Sequence, residues 1–396
     1  MRQEIIFFIG SLDFGGAERH LVFLLPKLKE KGWKVSLVTL VSKGPMASLL
    51  ENQGIKVRCI LNQRYSTLLR RLPRIIKTPL RLIPTIGQLV LLFRKKKEAF
   101  FHFFLPETYV IGMVAALLAG IPLQTIMSRR SLNNYQQDKP LLRWLERKLY
   151  SKTLAILGNS SAIIDQLHQE EGIPLDKLTL IYNGVDYSQF TSVTSSENTR
   201  ASLGISSDVL VLIIVANLIP YKGHADLLKA IALIKDKLPK NWQLLCVGRN
   251  DGIGDKLLNQ TRDLGLDKHI HWLGVRTDVP ALLHCADIGL LCSHQEGFSN
   301  AILESMVAGL PMIVTDVGGN KEAVVDEKTG YVVPAKNPQR LAEAIMKLAS
   351  DSEKRKLMSV AASDRAHQLF TLEKCVENYD QFYQSLMVSD ELTCAD

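Results

Sequence analysis

Two glutamates eight positions apart, Glu296 and Glu304, stand in the segment HQEGFSNAILESMVAGLPMIVTDVGG, residues 294–319. The apolar run Ile288–Cys292 before them reads as a buried strand, and Asn300–Val307 as a helix beginning near Ser299 or Asn300. Glu296 then falls in the strand-to-helix loop and Glu304 near the second turn. A carboxylate accepts from two vicinal hydroxyls at once, the pattern a ribose or hexose ring presents. The backbone N–H groups of Phe298, Ser299, Asn300 and Ala301 point out of the helix start and suit a diphosphate. A solvated loop glutamate and an ordinary helix glutamate give the same spacing by chance. The G-F-S-N and G-L-P surroundings argue for a site.

The other chemistry-bearing residues lie at predicted strand ends. Gly15 and Gly16 follow the first strand and precede a helix, where a glycine pair allows close approach of a ligand and positive φ. Their loop is not G-x-G-x-x-G, so a nicotinamide cofactor is not supported. His102, in FFHFFLPETY, reads either as a satisfied core histidine or as a sugar contact. Arg129 and Arg130 follow the strand Gln124–Met127, ready to meet an anionic acceptor or simply solvated. The histidines are dispersed and no D-x-D motif occurs. No metal and no other cofactor are expected.

These residues need elements to place them. The chain has 396 residues, which suggests two domains. Short apolar runs suited to buried parallel strands fall at Ile5–Ile9, Lys34–Leu40, Val57–Leu61, Phe100–Phe104, Gln124–Met127 and Leu154–Leu157. Helical spacing lies between them, at Ala17–Lys31, Tyr109–Ala119 and Leu141–Tyr150. The alternation restarts at Val209–Val215 and continues through Gln243–Val247, His269–Trp272, Ile288–Cys292 and Met312–Thr315. The helices there are His224–Lys235, Asp255–Leu264, Asn300–Val307 and Gln339–Leu348. Two such runs imply two doubly wound, Rossmann-like α/β domains. The polar, Ser/Thr-rich stretch near 184–206 is the expected boundary. This divides the chain into an N-terminal domain at 1–185, a C-terminal domain at 186–368, and a helix with tail at 369–396.

Residues 1–183 hold 27 Lys and Arg against 13 Asp and Glu, a net of +14, while the remainder nets −6. Within the basic half, residues 64–97 carry ten cations and no acid, interleaved with Leu and Ile. Pro73, Pro79 and Pro84 are expected to break this stretch into short pieces. Its composition suits an anionic membrane surface better than a merely solvated face. It shows no nucleic-acid reader motif. The apolar stretches 82–93 and 110–119 fall short of the ~18 uninterrupted residues of a span and read as buried helices. The six cysteines form no C-x-x-C pair and read as small buried hydrophobes in a reducing compartment. A peripheral protein at the cytoplasmic face is expected.

The E-x7-E segment resembles the signature of the retaining family-4 glycosyltransferases of the GT-B fold, also called glycosyl transferases group 1. VANLIPYKGHADLLKAIALI (215–234), WQLLCVGRNDG (242–252), HIHWLGVRTDVPALLHCADIGLLCS (269–293) and TGYVVP (329–334) follow in the family's order. NGVDYSQF (183–190) is similar to its interdomain signature, and IGSLDFGGAERHLVFL (9–24) to its N-terminal loop. The resemblance implies two domains facing across a cleft, with the C-terminal helix crossing back to the N-terminal one. It implies transfer of a hexose-type sugar from a UDP- or GDP-sugar to a lipid-linked or glycan acceptor, with retention and without metal. Glu304 would hold the donor ribose, and Glu296 would contact the transferred sugar. The Gly15–Gly16 loop would lie over the diphosphate. Lys222 would stabilise the leaving diphosphate, whose charge grows as it departs. Many relatives carry an arginine five residues before this lysine; here it is Asn217, and Arg249 is the candidate second cation, or else a surface arginine. Rivals are a nucleotide-sugar epimerase on a similar fold and a catalytically silent, nucleotide-sugar-binding scaffold.

Overall fold

The computed structural model describes residues 2–61, 74–136, 139–191 and 195–393. The chain forms two compact units, one of Met1–Tyr182 with Cys375–Asp396, the other of Asn183–Lys374. The first unit holds strands β1 (Glu4–Ile9), β2 (Lys34–Thr39), β3 (Lys56–Cys59), β4 (Phe100–Phe104), β5 (Thr125–Arg129), β6 (Ala155–Gly158) and β7 (Leu178–Leu180). The second holds β8 (Leu210–Val215), β9 (Trp242–Val247), β10 (Ile270–Gly274), β11 (Ile288–Leu291), β12 (Met312–Thr315) and β13 (Gly330–Val333). Predicted and observed strand ends differ by a residue or two, as fraying ends do. Two strands have no counterpart among the predicted ones: β7, three half-buried residues, and β13, four residues of which three are buried.

Among the described residues the first sheet runs β3-β2-β1-β4-β5-β6-β7 and the second β10-β9-β8-β11-β12-β13. Every pairing in both is parallel. The strand composition explains this. IIFFI of β1, FFHFF of β4 and LVLII of β8 are buried on both faces, so helices must cover both sides. In each sheet the strand order reverses once, between β1 and β4 and between β8 and β11. The loops that follow those strands diverge and leave a crevice at the carboxyl edge, where open α/β sheets bind ligands.

One expectation changes. Pro79 and Pro84 do not break the basic stretch: one helix runs Arg74–Lys95 through both. Each proline forfeits one backbone donor, and the helix is held instead by the seam that seats Leu89 and Phe93, both fully buried, in the core. Residues 64–73 of that stretch lie outside the described residues. The described part of the boundary stretch carries two short helices, Ser188–Thr191 and Ser196–Ser202, inside the second unit. The C-terminal helix extends over Leu372–Thr393 and belongs to the first unit from Cys375 onward. No helix of the described residues is long and apolar enough to cross a membrane. The five described cysteines are free, four of them buried.

Candidate active site

The second unit's switch-point loops carry the sharpest residues. After β8 the chain passes Asn217 into a 3-10 turn, Pro220–Lys222, and Gly223 turns it into the helix His224–Ile234. After β11 it passes through Glu296 into the helix Asn300–Val307. The two loops meet: Lys222 Nζ donates to Glu296 Oε1 at 2.6 Å. Both side chains are mostly sheltered, 18% and 10% exposed. Ser293 Oγ donates to the same Glu296 oxygen at 2.6 Å. Gly223 has φ +75, and a Cβ there would stand 1.9 Å from the Cys292 carbonyl oxygen. Only glycine lets the lysine loop lie this close to the glutamate loop.

Glu304 is buried in the second turn of its helix. The helix starts at Asn300 with Ser299 as its cap residue, and no side chain occupies the cap. Its first turn therefore keeps backbone donors oriented along the axis. Phe298 is buried against Phe370, centroids 5.4 Å apart, so its contribution to a ligand is its backbone. Asn183 ties this loop down, its Nδ2 donating to the Phe298 carbonyl at 3.0 Å and to Asn300 Oδ1 at 2.6 Å.

Asn217 Oδ1 accepts from the backbone N–H of Arg249 at 3.1 Å, so it shapes the loop after β9. The Arg249 guanidinium forks onto Asp251, Nε to Oδ1 at 2.6 Å and Nη2 to Oδ2 at 3.1 Å. It is half exposed, and reaching a phosphate means leaving that carboxylate.

In the first unit several predicted residues turn inward. His102 lies in the middle of β4, fully buried. Its Nδ1 bonds the Tyr383 hydroxyl at 2.5 Å and its Nε2 the Ser128 hydroxyl at 2.8 Å. Both nitrogens are spent, which is the core alternative of the two readings. Burial, then the Arg130 charge, holds its pKa well below the usual imidazole range. Arg129 does not stand on the surface. It is buried between Glu146, Nη1 to Oε2 at 3.4 Å, and Glu171, Nη2 to Oε1 at 3.0 Å, with the Tyr150 hydroxyl at 2.6 Å. A guanidinium committed to two carboxylates holds the fold and is not placed to hold an acceptor. Arg130 is half-buried, over the Phe104 ring and bonded to the Tyr379 hydroxyl. Gly15 has φ −136 and is the residue before the helix Gly16–Glu30, so neither glycine serves a positive φ. A Cβ on Gly15 would meet the Glu18 carboxylate at 2.2 Å, and one on Gly16 would meet nothing. The pair opens space at the loop and does not reverse the chain.

Sequence reasoning missed Ser293, His294 and Asp226. His294 Nε2 meets Asp226 Oδ2 at 2.8 Å. They are 68 positions apart, and no local pattern announces the pair. Among the described residues no group of three His, Cys, Asp or Glu is placed to hold a metal ion.

Residues 14–189 match the family profile of Glycosyltransferase Family 4, and residues 195–365 match that of Glycosyl transferases group 1. The chain is 25% identical to the D-inositol 3-phosphate glycosyltransferase of Corynebacterium diphtheriae, over 98% of this chain and 93% of that one. It is 26% identical to the UDP-Gal:alpha-D-GlcNAc-diphosphoundecaprenol alpha-1,3-galactosyltransferase of Escherichia coli, over 75% and 78%. Among solved structures, HepE of Anabaena in complex with UDP-glucose superposes with a TM-score of 0.82 at 22% identity, over 97% of this chain and 100% of that one. The two parallel sheets are those of the GT-B fold.

Proposed function

The chain belongs to the family-4 glycosyltransferases, and on that premise we propose that it moves a hexose-type sugar from a UDP- or GDP-sugar to a lipid-linked or glycan acceptor, with retention and without metal. The second unit takes the donor and the first the acceptor. The observation that carries this reading is the Lys222–Glu296 pair at the switch point of the second sheet. Two unit charges about 4 Å apart attract by about 4 kcal/mol at an effective dielectric of about 20. A diphosphate offers Lys222 at least twice the opposing charge, so the lysine turns from Glu296 to the donor. The freed carboxylate then faces the sugar.

In the reaction the bond from the anomeric carbon to the diphosphate oxygen breaks, and its electron pair leaves with the diphosphate. The acceptor oxygen bonds that carbon from the same face, and its proton passes to the departing phosphate oxygen. Lys222 and the amides of the Asn300–Val307 helix start stabilise the growing charge, and Glu296 stabilises the positive charge at the anomeric carbon. Glu304 holds the ribose hydroxyls. The name of the Escherichia coli relative, which specifies a diphosphoundecaprenol acceptor, supports a lipid-borne acceptor here.

The test is a thermal-shift screen against UDP- and GDP-sugars, followed by transfer assays with the stabilising donor. Transfer to an added acceptor, undiminished by EDTA, is the expected result. Activity abolished by EDTA and restored by Mg²⁺ or Mn²⁺ would sink the metal-free part. Donor epimerisation or hydrolysis alone would sink the transfer.

A further inference from the structure

Two donors grip the same oxygen of Glu296, Lys222 Nζ and Ser293 Oγ, each at 2.6 Å. In the donor-site reading, on which the present inference rests, Lys222 leaves for the diphosphate. Among the described residues, Ser293 is then the side chain that still holds Glu296. Its own backbone is anchored, since the Ser293 carbonyl accepts from Thr315 Oγ1 at 2.5 Å. A Cβ on Gly318, which has φ +52, would stand 2.1 Å from the Glu296 carbonyl, so the chain after β12 also braces this loop.

The next residue, His294, straddles Lys222. Its backbone N–H donates to the Tyr221 carbonyl at 2.6 Å, one residue before the lysine. Its ring meets Asp226, in the first turn of the following helix, at 2.8 Å. The loop that holds Glu296 is thus strapped to the loop that holds Lys222 on both sides of the lysine. These straps lie on backbone and on side chains that the exchange of partners leaves alone.

We propose that Ser293, His294 and Asp226 are positioning residues that keep Glu296 and Lys222 in register when the pair separates on donor binding. Lys222 swings to the diphosphate while its loop stays strapped. Glu296 stays aimed because Ser293 still holds the oxygen the lysine has left. These residues act through Glu296 and touch neither phosphate nor sugar.

The experiment uses the full chain carrying Ser293→Ala, Ser293→Thr and His294→Leu, each in the wild-type and Glu296→Gln backgrounds. Steady-state transfer and thermal midpoints are measured for all. In the wild-type background Ser293→Ala and His294→Leu should lower kcat by roughly ten-fold with the donor KM within about three-fold. In the Glu296→Gln background the same changes should move kcat by less than about two-fold, because there is no carboxylate left to aim. Ser293→Thr should recover most of the rate. Equal losses in both backgrounds, a loss confined to donor KM, or no loss at all would overturn the proposal. Should His294→Leu fail to fold, Ser293→Ala decides in its place. If the wild-type chain transfers no sugar from any UDP- or GDP-sugar, the donor-site reading falls by itself. Crystal structures of Lys222→Ala and of Lys222→Ala with Ser293→Ala then judge the hold: a Glu296 that stays bonded to Ser293 in the first and is displaced in the second supports it, and a Glu296 displaced in both or in neither overturns it.

Discussion

Glu296 and Glu304 carry opposite expectations despite sharing one segment. Glu304 is buried on a helix and assigned to ribose, which is held equally before and during reaction. Its loss removes uniform binding. Glu304→Ala should raise donor KM by roughly ten-fold or more, since hydrogen bonds to a charged group contribute about 1.5–3 kcal/mol. Glu296 is proposed to face the reacting carbon, where interactions strengthen in the transition state. Glu296→Ala should lower kcat by roughly 10²-fold with a smaller change in KM. Steady-state kinetics check both; wild-type kcat/KM in either variant would remove that residue from the site. The placement of both glutamates, one in the loop and one on the helix, was legible because it lies within one strand–loop–helix segment. The inward turn of Arg129 was not. Its partners Glu146 and Glu171 lie 17 and 42 positions away, and spacing along one strand end says nothing of what packs over it. His102 was legible only as an alternative, because two-sided burial of β4 hides which face a polar residue must satisfy.

At the scale of elements, the alternation of apolar runs and helical spacing sufficed for two parallel sheets, since a strand buried on both faces has little other use. The single helix Arg74–Lys95 was not legible, because its buried seam outweighs its prolines only when the core beneath is known. The C-terminal helix has the pattern of an appendage, yet it completes a polar network inside the first unit. Tyr383 bonds His102, Tyr379 bonds His20 at 3.3 Å, and Asp380 accepts from Trp33 Nε1 at 2.7 Å. This network makes stability depend on pH. His20 and His102 both have pKa values well below the ordinary imidazole value, first because burial disfavours the cation and then because Arg130 repels it. Unfolded histidines take a proton near pH 6.5, and the folded ones do not. The unfolded state therefore binds more protons as pH falls below about 6.5, and stability falls with it, by up to about 1.4 kcal/mol per pH unit for each histidine. Urea unfolding of the full chain between pH 7.5 and 5 should show this loss. His102→Gln should be less stable at neutral pH and show a shallower slope. A slope unchanged by His102→Gln would mean that His102 takes up its proton equally in the folded and unfolded states.

The whole molecule is basic at one end of its sequence and acidic at the other, +14 over residues 1–183 and −6 over the rest. A uniform solubility requirement does not produce that split, whereas a first unit facing an anionic surface does. The described part of the basic stretch supports such a face. The helix Arg74–Lys95 exposes Ile83 and Leu91, 71% and 60%, and carries the cations Arg94 and Lys95 in its last turn. A second helix, Pro140–Tyr150, has the same character outside that stretch. Leu141 and Trp144 are 76% and 56% exposed, among Arg143, Arg147 and Lys148. Exposed Leu and Trp set among Lys and Arg are the composition of elements that lie in a membrane interface. Each cation near anionic headgroups contributes about 1 kcal/mol, so half of the ten in residues 64–97 would hold the chain reversibly. A lipid-borne acceptor would then be concentrated beside the unit proposed to take it. In liposome sedimentation the chain should pellet with anionic vesicles at low salt, remain in solution with neutral ones, and be released as salt screens the charges. Trp144→Ala should weaken the anionic binding without changing its salt dependence, because it removes apolar contact and leaves every charge in place. Equal binding to neutral and anionic vesicles, or to neither, would leave this face a solvated surface and withdraw the main physical reason for a lipid-borne acceptor, while the donor chemistry of the second unit would stand.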